Sequence, residues 1–137
     1  MLLSPIVARL KAQCPLLRLV EPGLAPAVPA THPAAYIFPL RVIARPNELL
    51  GVHDQQITES LGVELTIKNA ARASTGKGAA DELEAVRLQV YAALAGWQID
   101  PSHVPFNYVG GALIEFDAGN AVWREEYATE TYLRIAV

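Results

Sequence analysis

The chain has 137 residues, 52% of them hydrophobic and 18% charged, with a net charge of −3 and one cysteine. That length suits one domain able to bury roughly 68% of its unfolded surface, and a charge fraction below the usual value of about 25% points to a surface hidden against a partner. A lone cysteine excludes an internal disulfide and a multi-cysteine metal site, and the acidic balance argues against a dedicated nucleic-acid binder.

Ser4 followed by Pro5 predicts an N-cap with proline in the first helical position, and Ile6, Val7, Leu10, Cys14 and Leu17 follow at helical spacing. Pro15 should end or bend this helix, and Cys14 on its apolar face is expected in the core. Arg9 and Lys11 interrupt the apolar opening and no basic segment precedes it, so a signal peptide is not expected. Residues 22–34 form a Pro/Ala-rich connector with prolines at 22, 26, 29 and 33, expected to wrap the domain rather than divide it. The uncharged stretch from Pro22 to Leu40 holds five prolines and therefore does not read as a membrane span.

The first strand is predicted over Tyr36 to Arg45, with Tyr36, Phe38, Leu40 and Val42 on one face, Arg41 and Arg45 on the other, and Pro39 marking an edge or a bulge. After a turn-rich segment, Ile57, Leu61, Val63, Leu65 and Ile67 alternate with Thr58, Ser60, Glu64, Thr66 and Lys68, which predicts a long strand with one wet face. Residues 69–78, with Arg72, Ser74 and Lys77 and no large apolar side chain, read as a mobile basic loop. A helix follows over about Ala79 to Trp97, with Asp81, Glu82 and Glu84 expected in its first turns. Its core stripe is Leu83, Val86, Val90, Leu94 and Trp97. A second apolar patch of Leu88, Tyr91 and Ala95 lies roughly 120° around the axis, and a neighbouring subunit or the connector should bury it.

The last third predicts a strand from Tyr108 to Phe116, a turn at residues 117–120, and a final strand to Val137. There Trp123, Tyr127, Leu133 and Ile135 share one parity, and Arg124, Glu126, Glu130 and Arg134 the other, so one face buries and the other pairs charges. The expected architecture is a single α+β domain: an antiparallel or mixed sheet of about four main strands with two helices packed on one face.

Chemistry-bearing motifs are absent by spacing. Residues 71–78 end in Gly76-Lys77 like a phosphate loop, but Ala71 replaces its first glycine and Gly78 its Ser or Thr. His32, His53 and His103 lack a partner at metal-ligand spacing, and His53-Asp54 are sequence neighbours whose side chains should diverge. Gly110-Gly111 suits a bulge or a close backbone approach better than a dinucleotide fingerprint. Arg41, Arg45, Lys68, Arg72 and Lys77 would form a basic patch if the first two strands are neighbours. No catalytic residue, cofactor or metal is expected.

Charge is unevenly distributed: residues 1–77 carry eight Lys/Arg against five Asp/Glu, and residues 78–137 three against nine. Unlike flanks favour head-to-tail association of copies over a two-fold dimer. Interface candidates are Arg41, Arg45, Arg72, Lys77, Leu88, Tyr91, Arg124 and Glu126.

The element order, Ile6-x-x-x-Leu10, Tyr36-Ile37-Phe38-Pro39, Ala80-x-Asp-Glu-Leu83, Ala93-Leu94-x-Gly96-Trp97 and Trp123-x-x-x-Tyr127-x-Thr129-x-Thr131-Tyr132 resemble tail terminator proteins of long-tailed bacteriophages across nearly the whole chain. The resemblance implies a structural, non-enzymatic virion protein. It would close into a ring, by family expectation a hexamer, at the head-proximal end of the tail, after assembly in the host cytoplasm. Implied partners are further copies, the tail tube protein and the head-tail connector, with DNA passing through the lumen and no membrane contact. Other readings of the residues are another neck or minor tail protein, a ferredoxin-like ligand-binding or regulatory domain, and a small hydrolase using His53 or His103.

Overall fold

A computed structural model describes residues 1–48, 50–71, 75–117 and 119–136, the side chains of 135 and 136 excepted. Among these residues the chain forms two helices and one five-stranded mixed sheet: α1 (Ser4–Gln13), β1 (Leu19–Pro22), β2 (Ala34–Ala44), β3 (Val52–Lys68), α2 (Lys77–Leu94), β4 (Asn107–Asp117) and β5 (Asn120–Ala136). The strand order is β1-β2-β3-β5-β4, antiparallel except for β1 beside β2. The α+β class and both helices are as expected. The additional strand is β1, four residues that end in a proline and carry no readable alternation.

Register sorts the two faces. Ala35, Ile37, Leu61, Val63, Leu65, Ile67, Ala121 and Tyr127 project to one side, where they meet Ile6, Leu10 and Cys14 of α1 and Ala79, Leu83, Val86, Val90, Ala93 and Leu94 of α2. Burial pushes the Cys14 thiol up to about 11, although the nearby Arg9 pulls the other way. Arg9 ties the helices together by donating to the Ala93 carbonyl at 3.0 Å while lying 5.4 Å from the Trp97 ring.

The opposite face is not uniformly wet. The connector lies against it: the Gly23 amide donates to the Ile37 carbonyl at 2.7 Å, and Pro26 to Pro29 face Glu64, Thr66 and Val122 across a cavity of about 430 Å³. This explains why Ala34 to Phe38 are buried on both faces and why Thr66, expected in water, is buried too. Because the connector occupies this side, it does not cover the second patch of α2.

Three local readings change. The helix begins at Ser4 rather than after it, with Leu3 as an N-cap that makes no side-chain bond, because Pro5 occupies the second helical position. Leu40 is an extra residue between Pro39, opposite Leu61, and Arg41, opposite Ser60; the bulge flips the parity, so Val42 leaves the face of Tyr36 and Phe38, and Arg41 joins it. Finally, α2 starts at Lys77, which moves Asp81, Glu82 and Glu84 out of its first turn. Gly76 makes that early start feasible: its φ is 70°, and a Cβ there would stand 2.2 Å from the Phe116 ring. The part of the presumed loop that is described is tied down by Asn69, which donates to Glu82 at 2.8 Å and accepts from the Ala71 amide at 3.0 Å. Two parallel βαβ units, which a ferredoxin-like domain requires, are not formed: the parallel pair β1–β2 is joined by the connector.

Candidate assembly interface

Among the described residues β4 is an edge strand, hydrogen-bonded to β5 on one side and to no strand on the other. An unprotected edge is normally kept short or charged. This one runs eleven residues, and its Tyr108, Val109, Leu113, Ile114 and Phe116 are between 37% and 56% exposed. Register shifts around Val109 and Ile114 mark two bulges, the first next to Gly110-Gly111 as the sequence suggested. At Gly111 the reason for glycine is space: a Cβ would lie 2.5 Å from Glu125 Oε2 and 2.7 Å from Trp123 Nε1.

Beside this edge stands the second patch of α2. Leu88 is 59% and Tyr91 50% exposed, so the patch is uncovered in the isolated chain. Tyr91 meets Tyr108 edge-on with centroids 5.7 Å apart, and a groove of about 210 Å³ runs between Leu88, Tyr91, Tyr108 and Glu84. The helix patch therefore runs into the start of β4 at Tyr108, whereas Ile114 turns toward the opposite face beside Arg124 and the connector; apolar exposure of this extent is of a kind that soluble monomers rarely leave uncovered.

Under that surface lies a buried ion pair. Glu125 sits on the core-facing side of β5 at 2% exposure, and its carboxylate accepts from Arg87 Nε at 2.6 Å and from the Tyr108 hydroxyl at 2.5 Å. The guanidinium also lies 4.3 Å from the centre of Trp123 and donates to Glu84 at 3.3 Å. Burial and the adjacent Glu125 carboxylate both raise the Tyr108 phenol above its ordinary range. This network fixes the angle at which α2 and β4 present their exposed side chains. Sequence reasoning missed it, though one signal was available: Glu125 shares its parity with Trp123 and Tyr127, a charge on the burying face.

The other candidates lie elsewhere. Arg41 pairs with Glu126 at 3.1 Å and Arg124 with Glu64 at 3.2 Å, both on the face opposite the helices, where Asp54 and Arg134 continue the ladder at 3.0 Å. That face pairs charges, as the parity of β5 suggested. Arg45 follows the exposed end of β2. Lys77 pairs with Asp81 at 2.9 Å, one turn along α2. Arg72 lies outside the described residues. The presumed basic patch is split: β2 and β3 are neighbours, but their antiparallel register sets Arg41 near Ser60 and Lys68 beyond the far end of the pairing.

A hydrolase would want a histidine buried beside a carboxylate. His103 meets that description: Nδ1 lies 2.7 Å from Asp100 and Nε2 3.1 Å from Glu59, which also pairs with the N-terminal amine at 2.9 Å. Burial alone would lower its pKa, but hydrogen bonds to Asp100 and Glu59 outweigh burial and raise it. A carboxylate on each nitrogen favours the imidazolium form, in which neither nitrogen has a free lone pair with which to act as a base. The neighbouring Ser102 hydroxyl donates to Asp100 at 2.8 Å and lies 3.3 Å from His103 Nδ1, which Asp100 already engages. His53 and Asp54 diverge as expected: His53 bonds Gln55 and Asp54 bonds Arg134. Among the described residues no cluster of three potential ligands suits a metal, and no helix is long and apolar enough to cross a membrane.

A family model described as phage tail terminator protein matches residues 1–136. No curated protein matches the chain. The chain thus belongs to the phage tail terminator family and has a structural role in the phage tail.

Proposed function

We propose that this tail terminator acts stoichiometrically: its copies form a ring, by family expectation a hexamer, that caps the tail tube, ends tube polymerisation and offers a joining surface to the head-tail connector. It would occupy the head-proximal end of the tail in the virion, assemble in the host cytoplasm, and leave a lumen for DNA. No enzymatic step is part of this reading. The observation that carries it is the uncovered apolar surface formed by β4 with Leu88 and Tyr91. A partner must remove that surface from water, and another copy is the partner present at the required local concentration in a ring.

Charge supports a head-to-tail arrangement. The basic first 77 residues place Arg41 in β2 and Arg45 just after it, whereas β4 carries Glu115 and Asp117 without a cation. The decisive test is a phage that lacks the protein: electron microscopy should show tails of uncontrolled length that do not join heads. Tails of normal length joined normally to heads would overturn the reading.

A further inference from the structure

We infer that the ring is closed by strand pairing: the outer edge of β4 in one copy adds to the uncovered half of β2 in the next. This rests on the ring reading and specifies its junction. β1 pairs with β2 only as far as Ile37, which leaves Phe38 to Ala44 hydrogen-bonded on one side alone. The sheet therefore has two open edges, one at each end of the order β1-β2-β3-β5-β4. Both are apolar: Val42 is 63% and Ile43 59% exposed, matching the exposed side chains of β4.

Direction fits as well. From β2 through β3 and β5 to β4 the strands alternate, so the next copy's β2, placed beyond β4 in the same orientation, continues an antiparallel pattern. Antiparallel neighbours make the shorter, perpendicular ladder bonds. Pro39 supplies no donor, so pairing would begin at Leu40.

The two-fold alternatives fit less well. Joining β4 to β4 brings together two strands that each carry Glu115 and Asp117 and no cation, and joining β2 to β2 brings together two copies of Arg45, which directly follows β2, beside Arg41, which is paired with Glu126 of its own copy. Only the mixed junction brings Arg45, just past β2, to the acidic strand β4. The bulges at Leu40, Val109 and Ile114 bend both edges, and a curved sheet is what a closed ring of sheets requires.

The test is hydrogen exchange on the full chain, comparing the dissociated subunit with rings formed in solution or on purified tails. Amides of β4 and of residues 40–44 should both slow by at least about tenfold in the ring. Lysine blunts a pairing edge, so Leu113→Lys and Ile43→Lys should each lower ring formation about tenfold or more, with unchanged melting of the subunit. Slowing confined to β4 would indicate a β4–β4 pair and overturn the inference. Rings that form normally in both variants, with neither segment protected, would also overturn it while leaving the capping role intact. The capping role itself fails only in the phage experiment.

Discussion

The ion pair beneath the exposed surface gives the sharpest quantitative expectation. Arg87→Met keeps most of the side chain's bulk but removes the cation, leaving the Glu125 carboxylate, 2% exposed, with the Tyr108 hydroxyl as its donor. Breaking a buried pair from one side costs about 3–5 kcal/mol, and the lost guanidinium–indole contact with Trp123 about 0.5–1 kcal/mol more. Arg87 keeps 28% of its side chain in solvent, so water can reach the vacated site and the lower ends apply, about 3.5 kcal/mol in total. At about 4 °C per kcal/mol for a domain of this size, the melting temperature should fall by about 14 °C. Glu125→Gln keeps the shape and removes the charge, and should cost about 1–2 kcal/mol. The double variant buries no unpaired charge, so urea titration should show it at least about 1.5 kcal/mol more stable than the two single losses combined. A loss below about 1 kcal/mol for Arg87→Met, or strict additivity in the double variant, would refute the assignment of this pair as a buried, coupled unit.

Three further outcomes are expected. The raised His103 pKa contributes stability that is present below its ordinary value of 6.5 and is lost as pH rises through the folded value. Glu59 is held below its ordinary 4.5, since the N-terminal amine and His103 outweigh its burial, and Asp100 is drawn down to about 2 by His103 and Ser102; their contributions disappear as pH falls. Melting temperature should therefore peak between 4.5 and 6.5 and decline on the alkaline side, and His103→Gln should flatten that alkaline decline. Gly111→Ala should destabilise by about 1–3 kcal/mol in urea titration, because its Cβ would displace Glu125 or Trp123. Leu88→Glu should leave the subunit's melting unchanged within about 0.5 kcal/mol, as expected for an exposed position, while weakening ring formation measured by sedimentation; an unchanged ring would remove this patch from the interface.

Alternation carried most of the fold. β3 repeats apolar residues every second position from Leu61 to Ile67, β5 keeps Trp123, Tyr127, Leu133 and Ile135 on one parity with polar interruptions, and α2 repeats apolar residues at helical spacing, so their existence and facing were legible. β1 was not: four residues ending in proline give no period, and its pairing depends on where the connector returns the chain. The wet face assigned to β3 failed for a related reason. Thr66 and Glu64 look solvent-bound in sequence, but a connector drawn across the sheet is a tertiary event with no local signature. Leu133 shows the opposite error: its parity says core, yet it is 44% exposed because the ladder of β3 and β5 continues past the helices. Of the interface candidates, Leu88 and Tyr91 were found from an extra apolar stripe, whereas the exposure of β4 could not be read without knowing that it ends the sheet.

The pairing of β3 with β5 has a consequence for the order in which the molecule is made. β3 is synthesised early, but its ladder runs from Lys68 opposite Asn120 to Val52 opposite Ala136. The central strand of the sheet thus waits for β5, which follows it only after α2 and β4, while β4 and β5 can zip together as a local hairpin in about 1–10 μs. Such non-local pairing is slow relative to hairpin and helix formation, because the loop entropy is lost before the ladder forms. A nascent chain therefore carries β3 paired with β2 alone until β5 emerges, and the exposed edge of β4 takes its final place only when that ladder closes.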